Sequence, residues 1–282
     1  MKLLVLYVIL FVFIVGCTSG AGEKAINYNF KQGLAEMKFS FLSNAPPEKI
    51  YPDSAFTMVL EIENQMAYDA TNLDISILGL DEKYFRLAET EQHLDLLAGR
   101  SLTLPAGEKQ FIEFTGQSGQ LFQNAEEYPA PYFVHATYIS ALDFTDTLCI
   151  NPSFYTVYDA GCKVQDRKTY SGQGAPLAVM ELEEIIHPHR GLELRLKLQN
   201  RGRGKLHFIN LERAQLGSQE MNCEFQNTAD NPRSIELRME QQEATLICRT
   251  FLRDQRSYTT TAAVSFNYDY EVRQEHTLRL VK

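Results

Sequence analysis

The chain is predicted to be all-β, two β-sandwich domains in series behind an export signal. Three observations predict this. Apolar and polar residues alternate with period two from Met37 onward, in runs such as Phe56-Met58-Leu60-Ile62 and Leu192-Leu194-Leu196-Leu198. Such alternation marks strands with one buried face. Helical periodicity is weak everywhere except across Tyr84–Leu97, where a short crossover helix is expected. Between Cys149 and Pro176 the alternation gives way to Asn151-Pro152, Gly161 and Gly172-Gln173-Gly174-Ala175-Pro176, which is linker chemistry.

The N-terminus comes first in the chain. Met1 and Lys2 precede an apolar run from Leu3 to Gly16. That run suits a signal-peptide core and is shorter than the roughly 20 residues of a membrane-spanning helix. It closes on Ile14-Val15-Gly16-Cys17, which resembles the lipobox of prokaryotic lipoproteins. The resemblance implies a signal peptide over 1–16 and a diacyl lipid on Cys17. An uncleaved anchor is the alternative, and either form leaves the remainder outside the cytoplasm. Residues 17–33 are small and polar and read as a tether.

The first sandwich is expected over 34–150. Its strand signals are Met37-Phe39-Phe41, Phe56–Ile62, Leu73-Ile75-Ile77, Phe111 and Val134-Ala136-Tyr138. A linker carrying a cysteine pair spans 151–175. The second sandwich, 176–282, continues with Leu192–Leu198, Ile235-Leu237, Ala244-Leu246-Cys248, Ala262–Tyr270 and Thr277–Val281. Each stretch is expected to hold its own core, with few contacts crossing the junction.

Both stretches share a strand–Asn–turn–strand unit. Glu63-Asn64 closes a strand before Gln65–Thr71 and Leu73-Asp74-Ile75; Gln199-Asn200 does so before Arg201-Gly202-Arg203-Gly204 and Leu206-His207-Phe208. An Asn there bonds the local backbone with its side chain. The unit resembles the opening hairpin of the immunoglobulin-like modules called CARDB, found repeatedly on prokaryotic cell surfaces. Leu104-Pro105-Ala106-Gly107-Glu108 resembles a later turn of those modules. The segment Leu148-Cys149-Ile150-Asn151-Pro152, Cys162-Lys163-Val164 and Gly172–Pro176 is similar to an interdomain junction of exported archaeal proteins. The resemblance implies two immunoglobulin-like sandwiches in tandem at a cell surface, and nothing catalytic. With no Trp in the chain, the antibody-type Cys–Trp–Cys core is absent.

Four cysteines follow Cys17: Cys149, Cys162, Cys223 and Cys248. An even number in an exported chain reads as disulfides with three possible pairings, of which proximity favours Cys149–Cys162 and Cys223–Cys248. The net charge of −9, more negative once Lys2 is removed, argues against nucleic acid as a partner.

No constellation argues for an enzyme. His187-Pro188-His189 has the spacing of a metal pair, but Pro188 favours a turn with both rings in solvent. His135 lies between inward-facing Val134 and Ala136 and should face the opposite side of its strand. Glu126-Glu127 and Glu181, Glu183 and Glu184 lack a calcium-loop pattern and read as a solvated acidic face. Ser118, in Gly116-Gln117-Ser118-Gly119, lacks the Gly-x-Ser-x-Gly elbow and reads as part of a polar loop. The candidate binding loop is Thr115–Pro131, with Leu121, Phe122 and Tyr128 followed by Tyr132 at one sandwich end. The expectation is a non-catalytic surface binding or structural lipoprotein, using neither metal nor cofactor. Its partners are expected to be the membrane, through its lipid, and an envelope protein or a second copy. An accessory subunit of an envelope machine for secretion, pilus assembly or transport is the alternative.

Overall fold

The computed structural model describes residues 29–122, 125–152, 162–187, 191–228, 231–238, 240, 242–252 and 256–282. All regular structure among them is β. The first half of the chain contributes β1 (Met37–Phe41), β2 (Ala55–Asn64), β3 (Ala70–Leu78), β4 (Phe85–Leu87), β5 (Glu91–Leu97), β6 (Lys109–Ser118) and β7 (Glu127–Ile150). The second half begins with β8 (Arg167–Thr169), β9 (Leu177–His187), β10 (Gly191–Asn200), β11 (Lys205–Leu216) and β12 (Gln219–Glu220). It ends with β13 (Asn222–Phe225), β14 (Ser234–Glu236), β15 (Glu243–Thr250) and β16 (Tyr258–Val281).

These strands make three antiparallel sheets in two layers. One layer is a seven-stranded sheet, ordered β12-β11-β16-β7-β3-β5 with β14 also on β11. The other holds a four-stranded sheet, β1-β2-β6-β4, and a five-stranded sheet, β13-β15-β10-β9-β8. β7 and β16 organise the whole. Each is 24 residues long, and they pair without a break from Glu127↔Val281 to Ile150↔Tyr258. At about 3.3 Å per residue they run for about 75–80 Å, far beyond an ordinary strand.

Their alternation never changes phase. On β7 the even-numbered Ala130, Tyr132, Val134, Ala136, Tyr138, Leu142, Phe144 and Leu148 are buried, and on β16 Ala262, Val264, Phe266, Tyr268, Tyr270, Leu278 and Leu280. Because side chains alternate strictly along a strand, both smaller sheets pack on the same face of the long one. Met58, Leu60 and Ile62 of β2 with Ile112 and Phe114 of β6 fill the first sandwich. Leu192–Leu198 of β10 with Ala244 and Leu246 of β15 fill the second. The buried side chains nevertheless form one connected cluster running from Met37 to Leu280. The expectation of two separate cores with few crossing contacts is therefore corrected: the halves share a sheet and a core.

Two further expectations change. The stretch Tyr84–Leu97 is not helical but holds β4 and edge strand β5. The tether ends earlier than residue 33, because the chain from Asn29 is docked where the two small sheets meet. Gly33 N–H donates to Gly172 O (3.1 Å), Gly174 N–H to Gly33 O (2.8 Å) and Ala67 N–H to Gly174 O (2.8 Å). Glu36 accepts from Arg203 N–H (2.7 Å) and from the Tyr270 hydroxyl (3.3 Å). Gly174, at φ +75°, has no room for a side chain: a Cβ would lie 2.1 Å from Phe30 O. This backbone-only packing is why the segment between the halves is glycine-rich.

The shared Asn unit is built on the same local pattern twice. Asn64 accepts from Met66 N–H (3.0 Å) and donates to Tyr68 O (3.0 Å) and Leu97 O (2.9 Å). Asn200 accepts from Gly202 N–H (3.0 Å) and donates to Gly204 O (2.8 Å) and the Gln242 side chain (2.9 Å). The i+2 and i+4 partners correspond. The disulfides are Cys149–Cys162 and Cys223–Cys248. The second joins directly opposed residues of β13 and β15 within one sheet, not across the sandwich. Cross-links of this kind belong to extracytoplasmic, oxidising compartments.

Candidate functional site

The candidate loop divides on folding. Tyr132 is a core residue at 1% exposure, because it falls on an inward position of β7. Leu121 and Tyr128 are half-buried and pack against the core. Phe122 stays in solvent at 67% exposure. Three segments gather round it. Lys83 Nζ lies 5.4 Å from the ring centres of both Phe122 and Tyr84, and Tyr84 stacks on Tyr128 at 4.0 Å. Ser118 fastens the neighbouring segment: its hydroxyl donates to Tyr51 O (2.6 Å) and accepts from Ser54 N–H (2.9 Å). Ser118 is therefore a buried residue closing β6, not part of a polar loop. Tyr51, 57% exposed, and a Gln120–Asp53 hydrogen bond lie on the same end. Tyr51 and the adjacent pair Lys83-Tyr84 escaped sequence reasoning because they come from two other turns, distant from the loop in sequence. The result is an aromatic, cation-bearing end of the first sandwich.

A second cluster crosses the open face of the long sheet. His135 faces away from the core, as the alternation of β7 requires, with its Nε2 3.3 Å from Glu271 Oε1 on β16. His207 of β11 holds the other carboxylate oxygen at 2.6 Å, and Ser76 Oγ of β3 is 3.4 Å from His135 Nδ1. Burial pushes the Glu271 carboxyl up, but the His207 hydrogen bond and the two imidazoles outweigh it and hold the group below its ordinary range. On β5, His93 bonds Asp74 (2.6 Å) and Asp95 (3.2 Å), and Asp74 raises its pKa. Ser76, His135 and Glu271 are the residue types of a nucleophilic triad. Their setting differs: Ser76 lies mid-strand, where backbone N–H groups serve the ladder and do not converge as an oxyanion hole. The arrangement links side chains from both halves of the chain.

The remaining candidates are scattered. His187 ends β9, exposed, while Pro188 and His189 lie outside the described residues, as does Cys17. Among the described residues no group of three or more His, Cys, Asp or Glu side chains is arranged to hold a metal ion. Glu126 and Glu127 pair with Lys282 and Arg279, and Glu181 and Glu183 with Arg167. Glu184 departs from the solvated-face expectation: it points inward and neither carboxylate oxygen has a hydrogen-bond partner.

No protein-family model and no curated protein matches the chain. Among solved structures it is similar to the E. coli chaperone DraB, at 11% identity over 77% of this chain and 87% of that one, with a TM-score of 0.22. It is also similar to the C-terminal domain of the Streptococcus agalactiae AgI/II polypeptide BspA, at 10% identity over 87% and 100% of the two chains and a TM-score of 0.13. A third is the C-terminal domain of the Streptococcus pyogenes antigen I/II-family protein AspA, at 10% identity over 87% and 99% and a TM-score of 0.15. At these scores the likeness carries no argument about this chain.

Proposed function

We propose that this is a non-catalytic, lipid-anchored binding or structural protein of the cell surface. In this reading Cys17 carries the lipid, and the aromatic end of the first sandwich engages a protein of the envelope or a second copy. The observation that carries it is the unbroken β7–β16 pairing, which makes one stiff body from both sandwiches and holds the Phe122 end at a fixed place on it. A surface with two exposed aromatics beside a lysine suits protein contacts, where aromatic anchors dominate the binding energy. Two measurements test the reading. Mass spectrometry of the native protein should find an N-terminus at Cys17 bearing a lipid adduct, and intact Met1 would remove the lipid from the proposal. A photoreactive residue at position 122 should cross-link a discrete partner on intact cells, while one at Thr145 on the open sheet face should not. Equal yields from both positions would end the case for the aromatic end.

A further inference from the structure

Beyond β3, the outer edge of β7 has no partner strand among the described residues, and side chains serve its backbone instead. The Tyr68 hydroxyl donates to Asp143 O and accepts from Asp143 N–H, both at 3.1 Å. Four residues on, Lys168 Nζ of β8 donates to Thr147 O (2.7 Å) and contacts Asp146 Oδ2 (2.9 Å). Asp146 sits in the inward phase of β7, and donors surround it. Thr147 N–H donates to Oδ1 (2.8 Å), and the Tyr170 hydroxyl, kept protonated by burial, donates to Oδ2 (2.6 Å). Tyr170 also lies edge-on to Phe144 at 4.9 Å. Lys168 stands opposite Leu182 in the β8–β9 ladder, so Glu184, two residues on, shares its inner face. Glu184 is 5% exposed.

We propose that Lys168 and Asp146 join in an intramolecular amide, with Glu184 carrying the protons. The Glu184 carboxylate accepts a proton from the Lys168 ammonium. The Nζ lone pair then forms a bond to Asp146 Cγ, and the carbonyl electron pair moves onto Oδ1, where Thr147 N–H already donates. Collapse of this adduct breaks the Cγ–Oδ2 bond, and Oδ2 leaves as water with two of the three ammonium protons, relayed by Glu184. The third stays on the amide nitrogen and keeps its bond to Thr147 O. Nothing is oxidised or reduced, and no co-reactant is needed.

The geometry supplies what such a reaction lacks in water. Nucleophile and carboxyl are held together, the developing oxyanion has a fixed donor, and a carboxyl isolated from water lies on the same inner face of the sheet as the amine. Burial raises the Glu184 pKa to about 7, with Asp166 adding to the rise and Lys168 opposing it, which suits a group that takes and returns protons near neutrality. The product replaces two partly buried charges by a neutral amide and ties β8 of the five-stranded sheet to the long sheet.

The test is a tryptic peptide map of the reduced, denatured full chain with intact-mass measurement. The native protein should yield a branched peptide joining Asp146 to Lys168, with no cleavage after Lys168. Lys168→Arg and Asp146→Ala should give only linear peptides. Glu184→Gln should give linear peptides and a mass higher than expected for the cross-linked form by one water, with a β-rich circular dichroism spectrum showing that it has folded. Linear peptides from the native chain overturn the proposal whatever the variants do, including when one water is lost by a succinimide at Asp146. A fully branched, folded Glu184→Gln protein overturns the role of Glu184.

Discussion

Cutting the chain at Ser171 tests the shared core most directly. A fragment from Ser171 to Lys282 retains β9 to β16 but removes β7 along the whole of β16, together with edge strand β8. Four fully buried side chains of β16 then lose neighbours. Tyr268 and Tyr270 pack on Met66 and Tyr138, and Leu278 and Leu280 lie beside Ala130, Tyr128 and Ile50. Exposing four large apolar side chains at about 1.5–3 kcal/mol each costs about 6–12 kcal/mol. That is comparable to the entire 5–15 kcal/mol stability of a typical domain. The fragment also presents a 24-residue strand edge, which invites association. Sedimentation and thermal circular dichroism should therefore show the oxidised fragment as associated or without a cooperative transition, while the full chain melts cooperatively. A monomeric fragment with a sharp melt would refute the reasoning, and the β7–β16 pairing would then be a contact between independent domains.

Other perturbations have defined outcomes. Asn64→Ala leaves three buried backbone groups without their partner and should destabilise the protein by about 2–4 kcal/mol in denaturant unfolding, with Asn200→Ala, half-buried, costing less. Gly174→Ala should lower the melting temperature by many degrees, because the added Cβ meets Phe30 O; an unchanged melt would contradict the docked N-terminal segment. His276 has a buried Nε2 without a partner, and burial lowers its pKa. The unfolded chain therefore binds a proton before the folded one does, and stability contributed by this group is lost as pH falls from about 6.5 toward its lowered pKa. His276→Phe keeps the ring packing on Phe41 and Tyr132 and should flatten that decline in unfolding midpoints measured against pH.

Strand content was legible because a one-sided strand writes its burial into every second residue. Leu192–Leu198 and Phe56–Ile62 fold as their spacing says. The stretch Tyr84–Leu97 misleads because β5 is an edge strand with only Leu97 fully buried, so little of its alternation is enforced by packing. The shared sheet was also written in the sequence: the even-numbered pattern runs from Ala130 to Ile150 without changing phase, twice the length one sandwich needs. Docking of the segment from Asn29 left no such trace, since Gly33, Gly172 and Gly174 meet through backbone groups alone. The Lys168–Asp146–Glu184 cluster was hidden for another reason. Glu184 reads like its charged neighbours Glu181 and Glu183, and only the ladder with β8 shows that it alone turns inward.

The place where the chain joins its body determines how that body is carried. Gly33 and Glu36 are fixed near Tyr270, which pairs with Tyr138 at the midpoint of β7. The chain from Asn29 therefore joins a bar of about 75–80 Å at its balance point, not at an end. A bar held by one end swings about that end and carries only its far tip through a wide arc. Held at the middle, it pivots like a seesaw, and the Phe122 end rises only as the Cys162 end dips. A contact made at one end thus sets the clearance of the other, without any change of shape within the protein.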